Sequence, residues 1–417
     1  MIYLNPIFEA HSSHRYNTAD YFKIDPLLGT EDDFRSLCKS AEKLGIKIIL
    51  DGVFNHTGDD SIYFNKKGRY DSLGAYQSTD SPYHSWYCFH NYPNEYDSWW
   101  GFDTLPTINK QDPNYIEFIC GENGVLRYWL RAGASGFRLD VADELPDFFI
   151  EHIRKAVKAE GEEKLLIGEV WEDASNKEAY GVRRRYFLGD ELDSVMNYPF
   201  KDAILWFLRC KNKEDFIDRI ETIVKNYPPG ALHTAMNSLS THDTERAITV
   251  LVGEPLKGRG REWQSHNALT LDKYEEGIRL LKLAMALQYF LPGVPCIYYG
   301  DEAGLQGYRD PFNRGCYPWG NERKDLIEYV KELAKLRNSS PALKNGETKF
   351  IDTKPGVVAF SRKAKDGETI LFLNYDNEHI TIKQSFHRYI CPYGRYDNST
   401  GRVSVSPFNF TLLTKRY

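Results

Sequence analysis

The sequence predicts an α/β fold in which parallel strands alternate with helices, followed by a smaller domain of antiparallel strands. Three observations predict it. Short apolar runs alternate with amphipathic helical stretches through residues 1–342, the helical pattern stops near residue 343, and residues 343–417 contain several strand-like runs. Alternation of this kind is typical of a doubly wound sheet or of a closed barrel, and both alternatives stay open at this point.

Seven runs are candidate parallel strands, separated by candidate helices. The strands are predicted at 1–5, 46–50, 136–140, 165–169, 193–197, 236–240 and 295–299. The helices are predicted at 31–44, 115–132, 146–159 and 274–290. We expect an interruption of the second helix near Gly121 and Gly124, because glycine disfavours a helix interior.

The first helix carries a start signal and one apolar face. Thr30 and Asp33 form a capping-box pattern at its beginning, and Gly45 follows its end. The residues expected on its apolar face are Phe34, Leu37, Ala41 and Leu44. With the strands on either side, this segment predicts a βαβ unit, which implies parallel strands.

Two regions depart from the alternation and set the predicted domain boundaries. Residues 57–112 are rich in Tyr, Trp, Asn and Asp, and predict an inserted subdomain, because so long a structureless loop is unusual in a compact domain. At the other end, antiparallel strands are predicted at 357–363, 368–376 and 379–383. We therefore predict a catalytic domain at 1–342 and a β-sandwich at 343–417.

Composition excludes several classes of protein. The net charge is −6, which argues against a nucleic-acid partner, because phosphates need a basic surface. There is no apolar run long enough for a membrane span, and the first residues lack the charged region of a signal peptide. Seven cysteines without a CxxC pair fit neither a disulfide framework nor a zinc site, so we expect a reducing, cytoplasmic compartment.

Charged residues recur at the carboxyl ends of the predicted strands. Asp51, Asp140 and Glu169 end three strands, and Asp243 closely follows another. The carboxyl ends of parallel strands in a barrel share one rim, where active sites lie. Arg138 and Asp140 are two residues apart, so both project to one side of their strand. An arginine there favours the ionised carboxylate that a nucleophile needs.

Four motifs resemble the signature regions of the α-amylase family, in the family's order. They are DGVFNH (51–56), GFRLDVADE (136–144), GEVW (168–171) and STHDTER (240–246). LPTIN (105–109) and GVPCIYYGDE (293–302) resemble two auxiliary regions. The VADE segment is most similar to the neopullulanase, cyclomaltodextrinase and maltogenic amylase branch, although Asp143 stands where that branch usually has Asn. The resemblance implies a (β/α)₈ barrel, with the insert after its third strand.

The resemblance also assigns roles, residue by residue. It implies Asp140 as nucleophile, Glu169 as general acid/base and Asp243 as the carboxylate that stabilises the transition state. It implies substrate contacts for His14, Tyr16, His56, Arg138, Glu144, His242, Asp310 and Arg314. The activity implied is retaining hydrolysis of α-1,4, and alternatively α-1,6, glucosidic bonds in maltooligosaccharides or cyclodextrins.

Cofactor, partner and specificity remain open. No cofactor is expected, and calcium is an alternative only at Asn55, which matches a calcium ligand of some relatives. The expected partner is an α-glucan, with a homodimer as in that branch. Asn17 and Glu245 depart from residues common in the family and put specificity in doubt. Several aromatic residues of the insert could line outer sugar subsites, although each is more readily explained as part of the core of the insert. They are Trp86, Tyr87, Trp99, Trp100 and Phe102.

Residues 1–5 match the family's second barrel strand, so the first strand and the branch's N-terminal domain are expected to be missing. Two other functions therefore stay open. One is a non-catalytic glucan-binding or accessory fragment, against which the three retained carboxylates argue. The other is a transglycosylase on the same site, which product analysis on maltotriose would distinguish.

Overall fold

A parallel sheet forms the centre of the first of two units. The computed structural model describes residues 1–384, 386 and 388–417, and divides into Met1–Val195 and Met196–Tyr417. Neighbouring strands of the first unit's sheet follow the order Ile2–Tyr3, Ile48–Gly52, Gly136–Leu139, Leu165–Gly168 and Ser194–Val195. Every neighbouring pair is parallel, so the carboxyl ends of these strands lie at one edge.

Helices follow the strands of this unit, as the alternation predicts. They are Glu31–Lys43, Pro113–Cys120, Val125–Ala132 and Asp147–Ala159. The break between the second and third confirms the interruption expected near Gly121 and Gly124. Short antiparallel hairpins are made by Phe8–Ala10 with Thr18–Ile24, and by Glu178–Ala179 with Val182–Arg183.

The first helix has the predicted cap but a different buried face. Thr30 and Asp33 form both halves of the capping box. The buried positions are Phe34, Cys38 and Ala41, whereas Leu37 is 43% exposed and Leu44 is 76% exposed. The expectation that Leu37 and Leu44 lie on the core face is therefore wrong. Phe34 packs edge-on against Trp129 of the third helix, and Leu44 lies at the C-cap, where the chain leaves the helix.

Residues 57–112 are built mainly from turns around buried aromatic side chains. Short elements in this region are the 3₁₀ helices His84–Trp86 and Trp99–Gly101 and the antiparallel strands Phe89–Asn91 and Glu95–Tyr96. Tyr63, Phe64 and Trp86 are each at most 3% exposed. Trp86 contacts the rings of Tyr63 and Tyr115, so this region packs against the helix at Pro113–Cys120.

The second unit begins with two further parallel strands. Met236–Ser238 pairs in parallel with Val294–Cys296, and Met196 forms a parallel bridge to Met236. All seven predicted parallel strands are thus confirmed within the described part of the chain. The helices of this unit are Tyr198–Cys210, Lys213–Asn226, Pro229–Thr234, Ala247–Val252, Arg261–His266, Leu271–Phe290, Lys324–Ser339 and Pro341–Asn345. Nowhere in residues 1–384, 386 and 388–417 is a helix long and apolar enough to cross a membrane.

The C-terminal strands form two antiparallel sheets, as predicted. One sheet has the order Glu347–Ile351, Val357–Ala364, Gly367–Asn374, Asn409–Arg416 and Ile390–Tyr393. The other has the order Ile380–Lys383, Arg402–Val405 and Arg395–Asp397. Side chains from both sheets, including Phe372 and Val403, share one apolar core.

Candidate active site

A single buried arginine holds three carboxyl groups at the carboxyl edge of the first unit's sheet. Arg138 Nη1 lies 2.7 Å from Asp51 Oδ1 and 2.7 Å from Asp140 Oδ1, and Arg138 Nη2 lies 2.9 Å from Glu169 Oε2. The Arg138 side chain is fully buried, and the three carboxyl side chains are at most 8% exposed. The structure therefore brings Arg138, Asp140 and Glu169 together, as the motifs imply.

Asp51 is held by two tyrosine hydroxyls as well as by the arginine. Tyr3 Oη donates to Asp51 Oδ2 at 2.6 Å, and Tyr16 Oη donates to the same oxygen at 2.8 Å. Sequence reasoning missed Tyr3. The one feature of the sequence that could have indicated it is a tyrosine within a short apolar strand. In the structure, the register pairs Tyr3 with Ile49, two residues before Asp51. Tyr3 and Asp51 thus lie on the same face of neighbouring strands.

The pKa of Asp140 lies well above its usual range. Burial is the largest cause, the nearby charge of Arg138 opposes it, and the negative charges of Glu169 and Asp51 raise it further. Arg138 thus favours the ionised form of Asp140, as the sequence predicts, but burial and the two neighbouring carboxyls outweigh it. The physical reason is that one guanidinium serves three carboxyls, so fully ionised carboxyls would leave a buried surplus of negative charge.

Glu169 is held by two hydrogen bonds and one ion pair from different parts of the chain. The Val141 backbone N–H donates to Glu169 Oε2 at 2.8 Å, and Trp171 Nε1 donates to Glu169 Oε1 at 3.0 Å. Arg138 completes the set. Val141 has a φ of 40°, in the left-handed region that β-branched residues rarely adopt. This strained turn directly after Asp140 aims a backbone donor at the neighbouring carboxyl.

His56 is buried beside this cluster and is neutral near pH 7. Burial lowers its pKa to about 4. Its Nε2 lies 3.1 Å from the Tyr16 carbonyl oxygen, and its ring stacks on Trp99 with the ring centroids 5.2 Å apart. His14, in contrast, is exposed; its Nδ1 accepts the Tyr16 backbone N–H at 3.1 Å, and its ring stacks on that of Tyr16. Both predicted histidines of this unit thus contact Tyr16.

Asn55, the calcium alternative, contacts a lysine. Lys110 Nζ donates to Asn55 Oδ1 at 2.5 Å, and burial lowers the pKa of Lys110 to about 8. A charged ammonium at that oxygen repels a divalent cation, so these side chains do not fit calcium below that pH. Among the described residues, no three His, Cys, Asp or Glu side chains are grouped to hold a metal ion. Metal dependence itself stays a prediction.

The second unit gathers four more of the predicted residues around the STHDTER motif. His242 Nε2 lies 2.9 Å from Asp243 Oδ2. Arg314 lies 3.7 Å from Asp243 Oδ1 and 3.1 Å from Asp310 Oδ1. Asn313, which sequence reasoning missed, is fully buried and donates through Nδ2 to the carbonyl oxygens of His242 and Thr244. Asn313 therefore ties the segment that carries Asp310 and Arg314 to the one that carries Asp243.

The aromatic residues of the insert divide into core and surface. Trp86 is 3% exposed and Tyr87 is 4% exposed, which confirms a core position for both. Trp100 is 76% exposed and Phe102 is 56% exposed, so a core position is wrong for these two. Trp100 Nε1 donates to Glu144 Oε1 at 3.0 Å, which links the insert to the VADE segment.

The arrangement in the first unit can perform acid–base and nucleophilic chemistry on an acetal. Asp140 and Glu169 contact the two terminal nitrogens of one guanidinium, where one carboxyl can attack while the other donates a proton. The neutral His56 contacts the Tyr16 carbonyl oxygen beside this pair, and the resemblance implies that both residues contact the substrate.

Comparisons with known proteins match this chain to one family. The family model described as "Alpha amylase, catalytic domain" matches residues 1–345. The amylopullulanase of Thermoanaerobacterium thermosulfurigenes is 39% identical over 406 residues, which are 90% of this chain and 21% of that protein. The cyclomaltodextrinase of Geobacillus thermopakistaniensis is 32% identical over 399 residues, which are 91% of this chain and 60% of that protein. The chain thus spans between a fifth and three fifths of the length of these relatives.

Solved structures show the same architecture. The ligand-free cyclic α-maltosyl-(1→6)-maltose hydrolase from Arthrobacter globiformis matches with a TM-score of 0.83 and 27% identity, over 100% of this chain and 85% of that one. A Nostoc punctiforme debranching enzyme matches with a TM-score of 0.81 and 26% identity, over 99% of this chain and 85% of that one. The predicted (β/α)₈ barrel fold with a C-terminal β-sandwich is confirmed. With a family model matching residues 1–345, the chain belongs to the α-amylase family, and it is similar to relatives named cyclomaltodextrinase and neopullulanase.

Proposed function

We propose that the chain hydrolyses α-1,4-glucosidic bonds with retention of configuration, through a glycosyl ester on Asp140. The observation that carries the proposal is the contact of one buried guanidinium with both Asp140 and Glu169. Retaining glycosidases need their two carboxyls close enough for direct attack, whereas inverting enzymes leave room for a water between them. A shared arginine supports the close arrangement.

The proposed reaction has two steps. In the first, an Asp140 oxygen attacks the anomeric carbon while Glu169 donates its proton to the leaving-group oxygen, so the glycosidic bond breaks as the ester forms. In the second, Glu169 takes a proton from water, whose oxygen attacks the same carbon and expels the Asp140 carboxylate. Asp243, from the STHDTER motif, is proposed as the third carboxylate of the reaction, with His242, Asp310 and Arg314 as sugar-binding residues.

The proposed substrates are maltooligosaccharides and cyclodextrins, with α-1,6 bonds as an alternative. The support is the similarity to proteins named cyclomaltodextrinase, neopullulanase and amylopullulanase. Glu144 of the VADE segment lies in the short turn that follows Asp140 and accepts a hydrogen bond from Trp100. Kinetics on γ-cyclodextrin, pullulan and soluble starch test the preference, and a strong preference for starch would contradict it.

Stereochemistry tests the two-step reaction. Two inversions at the anomeric carbon give a product of unchanged configuration, so the sugar first released from maltotriose should be the α-anomer. Proton NMR within the first minutes of the reaction, before mutarotation, measures it. Early accumulation of the β-anomer would exclude the ester on Asp140.

Two variants separate the roles of the carboxyls. Asp140→Asn and Glu169→Gln should each lower turnover of maltotriose by roughly 10³-fold or more, because each removes a group that acts in the transition state. On α-maltosyl fluoride, whose leaving group needs no proton, Glu169→Gln should release about one equivalent of fluoride in a burst and then stall. Asp140→Asn should give no burst. A burst from Asp140→Asn, or its absence from Glu169→Gln, would contradict the assignment.

We further propose a cytoplasmic location and a homodimer. All seven cysteines are unpaired, which supports a reducing compartment. The homodimer is proposed by similarity to the branch, and light scattering of the purified protein tests it.

A further inference from the structure

A cavity opens at the amino ends of two neighbouring strands of the first unit's sheet. Its volume is about 220 Å³, and it is bordered by Ile48, the first residue of one strand, and by Ser135, which directly precedes the other. Asp51 and Asp140 stand at the carboxyl ends of the same two strands. The length of the strands therefore separates this cavity from the catalytic carboxyls.

Most charged side chains around the cavity are positive. Of the described residues that border it, one is a carboxylate, Glu42, and four are cationic: Arg35, Lys39, Lys47 and Lys164. This local excess contrasts with the chain as a whole, whose net charge is −6. A concave surface of one sign of charge focuses its field and concentrates ions of the opposite sign. The cavity therefore attracts anions.

One helix supplies three of these five charged side chains. Arg35, Lys39 and Glu42 are at positions i, i+4 and i+7 of the first helix, a spacing that places them on one face. Lys47 and Lys164 each directly precede a strand of the sheet. The fold thus brings charges from three separate segments around one space.

Two of the cations are held in place by neighbouring groups. Arg35 pairs with Glu31 at 2.6 Å, and Lys164 Nζ donates to a backbone carbonyl oxygen at 2.9 Å. Within the described part of the chain, Lys39, Lys47 and Lys164 form no ion pair. Three positive charges around the cavity are therefore not offset by a carboxylate partner.

The pKa of the Cys38 thiol responds to these charges. Cys38 borders the cavity and is 7% exposed. Burial raises its pKa, the positive charges of Lys164 and Arg35 oppose that rise, and the negative charge of Glu42 adds to it. Charges from separate segments thus act on one point beside the cavity.

We propose that this cavity binds a phosphate group, as the free ion or as the monoester of a small molecule. A phosphate presents several negatively charged oxygens, which ammonium and guanidinium groups bind through charge-assisted hydrogen bonds. A volume of 220 Å³ equals the liquid volume of roughly seven waters, which suits a phosphate with a small substituent and excludes an oligosaccharide. This inference is independent of the proposed function.

Isothermal titration calorimetry tests the site on the full chain. The probes are inorganic phosphate and glycerol 3-phosphate, and glycerol is the uncharged control. Lys39→Gln and Lys47→Gln should each raise the Kd of the phosphate probe by about fivefold, which is the effect of removing one unit charge about 4 Å away in water. Glu42→Gln should lower the Kd by a similar factor, because it removes a negative charge beside the phosphate.

Lys43→Gln is the matched control. Lys43 is exposed on the same helix but does not border the cavity. At an ionic strength of about 0.1 M, where charges beyond about 10 Å are largely screened, its loss should change the Kd less than about twofold. All four altered side chains are exposed, so the melting temperature without phosphate should stay close to that of the wild type.

The two probes also identify the source of the phosphate. Tighter binding of glycerol 3-phosphate supports a small phosphorylated molecule as the ligand, and tighter binding of the free ion supports inorganic phosphate. The absence of binding heat with both probes would overturn the proposal. Equal changes in Kd for Lys47→Gln and Lys43→Gln, or weaker binding by Glu42→Gln, would also overturn it, because the cavity would then not be where phosphate binds.

Discussion

The buried cluster around Arg138 makes the acid limb of the pH profile depend on Asp51. Asp140 must be a carboxylate to attack, so kcat/KM should fall as pH drops through its raised pKa. The negative charge of Asp51 is one cause of that rise. Asp51→Asn removes this charge and should lower the pKa of Asp140, which moves the acid limb of kcat/KM to lower pH even though overall activity falls.

Tyr3→Phe is the matched control for Asp51→Asn. It removes a hydrogen bond to the same Asp51 oxygen without changing charge, so the acid limb should stay closer to the wild-type position. Profiles of kcat/KM for maltotriose between pH 4 and 8 measure both variants. An acid limb that stays in place or rises in Asp51→Asn would contradict the electrostatic origin of the shift.

The site residues that the sequence predicts have a recognisable position at a strand end, whereas the residues that it misses have no such local feature. Asp140 and Glu169 stand at strand ends, a position that parallel topology brings to one edge. Tyr3 and Lys110 became recognisable only when Asp51 and Asn55 were placed beside them. A tyrosine in a strand or a lysine in a loop carries no local signal of such a contact.

At the scale of elements, the helix Glu31–Lys43 shows what periodicity can predict and what it cannot. Its cap is local and was predicted in full. Its buried face depends on which helix packs against it. The observed face lies one residue along from the predicted one, so Cys38 and not Leu37 is in the core. Apolar residues spaced three or four apart fit both stripes, so the sequence alone could not choose between them.

This helix yields a stability prediction. Phe34→Ala should lower the free energy of unfolding by about 3–5 kcal/mol, because a ring that is 5% exposed and packs on Trp129 would leave a cavity. Leu37→Ala, with the side chain 43% exposed, should change it by less than about 1 kcal/mol. Urea titrations followed by tryptophan fluorescence measure both. Similar losses of unfolding free energy in the two variants would mean that Leu37 contributes to the core.

The turns at Trp100 and Tyr180 show a second limit of sequence reading. Asn-Gly between strands is a strong hairpin signal, whereas Tyr-Gly and Trp-Gly are not. The local sequence therefore opposes the turns that form, in which Trp100 and Tyr180 have φ angles of 50° and 52°. The buried strands, by contrast, were predicted well because parallel strands read as continuous apolar runs.

At the scale of the whole molecule, the seven free thiols differ in exposure and in pKa. Cys88, Cys210 and Cys316 are exposed, whereas Cys38 is buried. Burial also raises the pKa of Cys88, and raises the pKa of Cys296 to about 11. Since the thiolate is the reactive form, exposure and pKa together predict the order in which the thiols react.

We expect Cys210 and Cys316 to react first with a disulfide reagent such as DTNB in the native protein, and Cys88 more slowly. After unfolding in guanidinium chloride without reductant, all seven should react. Cys210→Ser and Cys316→Ser should each remove part of the fast phase, whereas Cys38→Ser should not, because Cys38 stays inaccessible until the fold opens. A count below seven in the unfolded protein would contradict the prediction that all seven thiols are free.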